Sequence, residues 1–456
     1  MKYIAVFIII GTLVALATWM PSTEAAEPEQ THLLRSKRQP GAIDHITALL
    51  EIGGQRLEKE NVGAKPRSIP VSVVCNLDYA EKTLEVPAET GGRWRSVRCY
   101  DQAAAVLKIG DDGAKPSLRS QRSLIGAQMD REAATLFSPH GPLTRDELEL
   151  IDVVGSSLVL DRLLPENRVR PGDTWKHDDK VLAMLLKLDA VRQSGVQSAL
   201  KEVTDTVARF EMSGRVEGTV NDVSSSVDLK AKYRLDLRTG RIDWFGLVLN
   251  ERREISEVEA GIDVTARLQL RITPKDSSPA LDDAALKDLP LEATAETNPL
   301  QYESADLGWR LTHDRGWHLI DSHRDLAVFK LVDRGDIAAQ CNISALSQRS
   351  PEELPSLEDF QQEIRQALAK SFGEFVESGQ SSDEADRRVY RVIVRGEVSQ
   401  VPIQWNYYLV ADQHGRQVTF AFTVKGELAE RLHQADEKLV QAIGFMEPET
   451  AAAEKK

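Results

Sequence analysis

VARFEMSGRVEGTVNDVSSSVDLKAKYRLDLRTGRIDWFGLVLNERREISEVEAGIDVTARLQLRIT, residues 207–273, contains four runs in which apolar and polar side chains take turns. Successive side chains of an extended chain point to opposite sides, so each run has one buried and one wet face. Phe210, Met212, Gly214, Val216, Gly218 and Val220 share the first apolar face, opposite Arg209, Glu211, Arg215 and Glu217. The second run sets Val227, Leu229, Ala231, Tyr233, Leu235 and Leu237 against Asp228, Lys230, Lys232, Arg234 and Asp236. After the turn signal Arg238-Thr239-Gly240, the same reading carries the apolar face through Ile242, Trp244 and Val248, and the fourth run through Ile262, Val264, Ala266, Leu268, Leu270 and Ile272. Strands of about ten to thirteen residues span roughly 35–45 Å. Long antiparallel strands twist, so the sheet must curl. Its apolar face then needs a cover: a helix, a second sheet or a ligand. If a ligand, it is apolar and rests on Phe210, Met212, Tyr233, Leu235 and Trp244.

Working outward, two helical segments offer themselves as covers. Thr144 and Glu147 form a capping-box pattern before Leu148, Ile151 and Val154, predicting a helix over 144–154. Val181, Met184, Leu185 and Leu188 predict another over 178–190. Strands are expected at 43–52, 69–80, 93–100, 104–110 and 118–127. Arg93, Trp94, Arg95 and Arg98 form a basic cluster that reads as a solvated strand face. The fold class is α+β, predominantly antiparallel β. A sheet of long strands wrapped on helices resembles the half-barrel of bacterial lipoprotein carriers of the LolA/LppX type, over residues 42–273, and that resemblance implies an apolar cavity.

Residues 274–300, with Pro274, Pro279, Pro290 and Pro299 among polar residues, read as a linker, with a short helix between Leu281 and Leu289. A second module occupies 301–446. Gly308-Trp309 and Gly316-Trp317 open it; strands follow at 325–333 and 336–346. Ser356 caps a helix with Asp359 at its third position and an apolar face of Leu357, Phe360, Ile364, Leu368 and Phe372. Strands at 387–396, 401–411 and 416–425 and a closing helix through Leu428, Leu432, Leu439 and Ile443 complete it. This order of elements resembles PsbP-like modules. The resemblance implies a non-enzymatic binding or assembly module, of a kind often exported.

The chain of 456 residues is long enough for two or three cores, and its net charge of −14 argues against nucleic acid or an anionic membrane as the main partner. Lys2 followed by an apolar run to Ala17 and small residues reads as a signal peptide cleaved near Ala25, giving a periplasmic or extracellular protein; an uncleaved membrane anchor is the alternative. Residues 26–41 read as a flexible lead-in and 447–456 as a disordered tail. Cys75 and Cys99 lie on neighbouring expected strands and can pair in an oxidising compartment; Cys341 reads as a core thiol.

No HExxH, G-x-S-x-G, P-loop, CxxC or EF-hand pattern is present. His313, Asp314, His318, Asp321, His323 and Asp325 carry metal-ligating side chains, but alternation scatters them over two faces. Trp175-Lys176-His177-Asp178-Asp179 reads as a helix N-terminus, and the glycosylation pattern Asn342-Ile343-Ser344 falls inside an expected strand. No catalytic residue, cofactor or metal is assigned. The expectation is an exported, non-catalytic binding or envelope-associated protein whose partner is a lipid, an apolar small molecule or an envelope protein. The alternatives are a secreted hydrolase at the domain junction, using His313 or His318, and a structural protein-interaction module.

Overall fold

The computed structural model describes residues 30–58, 65–87, 92–131, 133–256, 260–304, 306–323, 325–333, 336–383, 386–432 and 434–446. The expected leader and the expected C-terminal tail lie outside these residues. The fold is α+β and predominantly antiparallel β.

Thirteen strands build the first sheet. They are β1 (Ile43–Glu58), β2 (Arg67–Glu85), β3 (Trp94–Ile109), β4 (Asp112–Ala114), β5 (Leu124–Met129), β6 (Ala134–Phe137) and β7 (Thr174–Lys176). Then come β8 (Ala190–Ser194), β9 (Gln197–Val203), β10 (Val207–Val220), β11 (Val223–Asp236), β12 (Arg241–Arg253) and β13 (Gly261–Lys275). Their order is β6-β5-β3-β2-β1-β13-β12-β11-β10-β9-β7, with β4 on β3 and β8 on β10. The four alternating runs are therefore the consecutive antiparallel strands β10 to β13, and β1 joins them by pairing with β13 from Ile43↔Lys275 to Leu57↔Gly261. The two stretches expected as strands at 93–100 and 104–110 are one strand, β3. The expected strand at 118–127 is a turn followed by β5.

Three helices lie against the apolar face: α1 (Arg145–Ile151), α2 (Ser157–Leu160) and α3 (Asp179–Leu186). The capping box of Thr144 and Glu147 forms as read, and both expected helices stop earlier than their apolar periodicity suggested. Leu148, Ile151, Leu158, Leu160, Leu182 and Leu185 join the inward residues of β1, β2, β3 and β10 to β13 in one core. The chain passes very close to the sheet at Gly155 (φ +74°), where a Cβ would stand 2.3 Å from Leu268 Cδ2, so no side chain fits.

Two residues expected to face inward, Trp244 and Val248, face outward. A bulge between Arg234 and Leu235 pairs Leu235 with Ile242 and Arg234 with Trp244, leaving Asp243 as the extra residue. One inserted residue reverses every later side chain. Phe245, Leu247 and Leu249 face the core, while Trp244 is half-buried on the outer side and Val248 is exposed.

Two stretches read as loose are packed. In residues 30–41, Leu34 and Arg38 are buried, and His32 bridges Val169 through two backbone hydrogen bonds of 2.7 and 2.9 Å. In the expected linker, α4 (Asp283–Leu286) and the turn before it seat Leu281 and Leu286 on the outer side of the sheet, against Ala80, Val97 and Leu124. Lys82 Nζ fastens this stretch to the sheet through Leu281 O at 2.8 Å and Asp283 Oδ1 at 2.6 Å. The short helix expected between Leu281 and Leu289 is present as α4; what polar composition concealed is that its leucines pack on the sheet, and the alternation Leu34, Ser36, Arg38.

The second domain contains β14 (Leu300–Ser304), β15 (Trp309–His313), β16 (Trp317–Ser322), β17 (Leu326–Asp333), β18 (Asp336–Leu346), β19 (Phe372–Ser382), β20 (Arg388–Val398), β21 (Val401–Ala411), β22 (Gln417–Lys425) and β23 (Ile443–Phe445). A seven-stranded sheet runs β16-β17-β18-β22-β21-β20-β19, and β14-β15-β23 form a small one. Helix α5 (Leu357–Leu368) packs Phe360 and Ile364 on Tyr390, Val392, Val394 and Trp405 on one face. The small sheet, a 3-10 turn at Gly426–Leu432 and α6 (Ala435–Gln441) cover the other, around Trp309, Trp317, Phe329, Phe420 and Phe422. Strand β19 was not foreseen; it is almost wholly exposed and carries no alternation.

Candidate functional site

The apolar face proposed for a ligand is occupied by the chain itself. Phe210, Met212, Tyr233 and Leu235 are each 1 % exposed. Phe210 and Tyr233 stack at 4.6 Å, and Trp175 meets Phe210 edge-on at 5.9 Å. The polar atoms beneath this aromatic layer are paired, as buried groups must be. Tyr233 Oη lies 2.9 Å from Ser198 Oγ and 3.1 Å from Leu163 O, and Trp175 Nε1 donates to the same carbonyl at 3.1 Å. His177 Nε2 stands 2.8 Å from Ser198 Oγ. Burial pushes the His177 imidazole down to about 4, so it is neutral near pH 7. His177 beside Ser198 has the makings of a nucleophile and base, yet Ser198 is fully buried and sealed from solvent. The pair fastens the α3 entry to β9. Two clefts, of about 720 and 650 Å³, open elsewhere: one beside β23, the other at the far ends of β10 to β13.

Of the basic cluster, Arg93 is on a solvated face as expected, whereas Trp94 and Arg98 belong to a buried ionic network. Arg98 is 2 % and Glu81 0 % exposed. Arg98 Nε donates to Glu81 Oε1 at 2.8 Å, and its Nη2 reaches Ser156 Oγ and Ser157 Oγ, each at 3.1 Å. Ser96 and Ser157 hydroxyls donate to Glu81 at 2.8 Å each. Arg38 adds a second guanidinium, 3.5 Å from Glu81 Oε2 and 3.2 Å from Asp161 Oδ2, and lies 5.8 Å over the Trp94 ring. Arg241 pairs with Asp44 at 3.3 Å. Burial alone would raise the Glu81 carboxyl; Arg98 and Arg38 outweigh it and hold the group down at about 2. For Asp44, burial wins over Arg38 and Arg241 and the carboxyl stays above its ordinary value. A sealed carboxylate this acidic is a poor general base. What the network does is join β2 and β3 to α2 and to residues 30–41. Arg93 and Arg95, at its rim, pair with Glu85 and Glu292.

Cys75 and Cys99 are free thiols. Cys75 stands opposite Ala105 and Cys99 opposite Ala80, so the two lie five positions apart along the β2–β3 ladder, about 17 Å. A disulfide spans about 4 Å between Cβ atoms. The pairing fails on register, and burial pushes the Cys75 thiol up to about 11.

At the domain junction, His313 is buried, stacks edge-on against Phe329 at 5.4 Å and directs Nδ1 to Asp314 O at 2.9 Å. Burial and the Arg145 charge bring His313 and His318 down to about 4. His323 turns away to Asp321 at 2.9 Å. Arg145 acts on both His313 and His318, His313 meets Asp314 through its backbone carbonyl, and the His323–Asp321 pair is exposed at the surface. Among the described residues, no three His, Cys, Asp or Glu side chains gather as a metal site.

The cleft beside β23 is walled by two turns of one design that sequence reading passed over. Asp383 and Arg387, and Asp412 and Arg416, are each four apart; in both, arginine Nε donates to the aspartate at 2.6 Å and aspartate also accepts the arginine backbone N–H. Arg387 Nη1 and Nη2 donate to Ile443 O and Gln441 O, and Arg416 Nη1 donates to Met446 O. These arginines clamp the last strand. The signal available in sequence was the repeated D-x-x-x-R.

No family model matches the chain, and no curated protein matches it. Among solved structures, the cyanobacterial PsbP of Synechocystis sp. PCC 6803 is similar at 14% identity, over 32% of this chain and 92% of that one, with a TM-score of 0.27. The Ran-binding protein Mog1p of Saccharomyces cerevisiae is similar at 9% identity, over 33% and 97% of the two chains, at 0.27. The translocator domain of the autotransporter NalP from Neisseria meningitidis aligns over 85% of this chain and 90% of that one at 6% identity and 0.13. The expected likeness to PsbP is thus present as a weak similarity, and the LolA/LppX-type likeness has no counterpart among these structures.

Proposed function

We propose that this chain is an exported, non-catalytic, envelope-associated interaction protein. In this reading the first domain is a filled scaffold, and the PsbP-like second domain presents the recognition surface. The observation that carries it is the occupancy of the curled sheet by the chain's own helices: the four aromatic and aliphatic residues at its centre are each 1 % exposed. A lipid would have to displace α1 to α3, and the buried hydrogen bonds of Ser198, Tyr233 and Leu163 with them. In the second domain, α5 covers only the β19–β21 part of its face. Gln340, Asn342 and Ser344 on β18 and Thr419 and Ala421 on β22 are left half-exposed, with Lys330 of β17 alongside. A sheet face of mostly uncharged polar side chains beside one lysine suits a protein surface better than a membrane.

Two measurements test this. Native mass spectrometry of protein purified from its own host is expected to give the mass of the bare polypeptide; a retained lipid restores the carrier reading. Crosslinking in intact host cells is expected to join Lys330 to another protein; crosslinks confined to the first domain overturn the assignment of the surface.

A further inference from the structure

We propose that residues 30–41 form a detachable strap, and that the groove beneath it is a binding site for an extended peptide carrying an arginine four residues after a leucine. The strap fills that groove in cis. Three observations combine here, and none depends on the second domain.

The strap is held differently from every strand beside it. Its one backbone bridge is His32 to Val169; outside that bridge it is held by single contacts: Lys37 N donates to Gly240 O at 3.0 Å, Lys37 Nζ to Leu237 O at 2.9 Å, Arg168 Nη2 to Thr31 O at 2.8 Å, Arg35 Nη2 to Glu166 O at 3.5 Å, and Gly41 N to Thr83 O at 2.8 Å where the strap meets β2. Gly240 (φ +65°) is what lets Lys37 lie there, since a Cβ would stand 2.4 Å from its Cγ. The thirteen-stranded ladder does not include the strap, so the sheet is complete without it.

Its inward side chains read as a ligand. Leu34 enters the main core at 2 % exposure, Ser36 Oγ donates to Asp161 Oδ2 at 2.8 Å, and Arg38 ends between Glu81 and Asp161 with its guanidinium over Trp94. Leu33, Arg35 and Lys37 are exposed on the outer side, where Arg35 and Lys37 lie along the surface to Glu166 O and Leu237 O. An apolar seat followed by a carboxylate seat beside an aromatic ring is how a site selects an extended peptide with a planar cation. With the strap gone, Glu81 keeps Arg98 and Asp44 keeps Arg241. The groove floor therefore stays assembled while it loses one cation.

A hinge is present. Gln39 O accepts from Ala42 N at 3.2 Å in a tight turn holding Pro40 and Gly41 (φ +84°), directly before β1. Gly41 N and Ala42 O are tied to Thr83 of β2 at 2.8 and 2.9 Å, so rotation on the Gln39–Pro40 side of that anchor moves the strap without disturbing the ladder.

The test uses the full chain. In hydrogen exchange of the wild type across low denaturant, strap amides are expected to exchange through an opening distinct from, and easier than, that of β10 to β13. Exchange of both only through global unfolding overturns detachment. Next, a fluorescein-labelled peptide of residues 30–41 is titrated into the full-length Arg38→Ala variant, whose own strap lacks its cation. Saturable binding is expected, weakened by more than about tenfold when the peptide carries Ala in place of Arg38. Absent binding to folded variant, or binding indifferent to that arginine, overturns the site. Should Arg38→Ala not fold, the same titration into wild type decides, with competition against the resident strap as the expected result and no competition as the refuting one.

Discussion

Glu81 is the residue whose loss this fold feels most sharply. It is fully buried, and two guanidiniums and two hydroxyls point at it. Glu81→Ala leaves Arg98 buried without its anion and is expected to cost about 3–5 kcal/mol, read as a fall in urea midpoint. Glu81→Leu combined with Arg98→Leu is expected to cost less than Glu81→Ala alone, because no unpaired charge remains. Protons reach other residues first. His177, His313 and His318 sit near 4 in the folded chain against an ordinary 6.5. Below about pH 6.5 the unfolded chain binds protons the folded chain refuses, so stability is complete above that pH and drains away down to about 4. Glu81, held at about 2, contributes in full above its ordinary 4.5 and is lost only as pH falls from there toward 2. The urea midpoint is therefore expected to decline between pH 7 and 4, and His177→Gln to flatten part of that slope. A midpoint constant from pH 7 to 5 contradicts the histidine assignment.

At the scale of the element, β12 offers a decisive comparison. The bulge places Phe245 in the core and Trp244 outside it. Phe245→Ala is expected to cost about 3–5 kcal/mol and Trp244→Ala clearly less, measured by chemical denaturation; the reverse order would restore the uninterrupted alternation. That bulge marks where sequence reading stops. Unbroken alternation made β10, β11 and β13 legible, and the capping boxes at Thr144 and Ser356 both formed as read. A single extra residue, Asp243, leaves no compositional trace. Nor does the burial of Arg98, because its partner is seventeen residues away on the next strand and only the β2–β3 register, Glu81↔Arg98, brings them together. The strap was readable in principle through Leu34, Ser36 and Arg38, but three alternations amid polar residues resemble a linker. Of the expected ligand face, four of five residues share one core and Trp244 does not. What lies over them is tertiary information, set by how α1 to α3 fold back.

For the whole molecule, the question is whether the two domains unfold as one. They are joined by backbone as well as side chains: Leu143 bridges Leu300, with Gln301 N donating to Leu143 O at 2.8 Å. Arg145, at the start of α1, gives Nη2 to Arg315 O at 2.6 Å and Trp317 O at 3.2 Å in the second domain. Arg315 answers from the other side, giving Nη2 to Leu136 O on β6 at 2.6 Å and Nε to Asn298 O at 2.9 Å. These guanidiniums satisfy partly buried carbonyls that would otherwise lose their partners. Each domain nonetheless has its own core, and apart from Leu300 of β14, which is buried in the first, the coupling between them rests on this short junction. Wild-type protein is expected to melt in one calorimetric transition. Arg145→Ala with Arg315→Ala is expected to separate it into two, each domain keeping its own enthalpy, because the double change removes four interdomain or junction hydrogen bonds and leaves both cores intact. A single transition merely shifted down would mean that the strands β14 and β15, rather than the two arginines, carry the coupling.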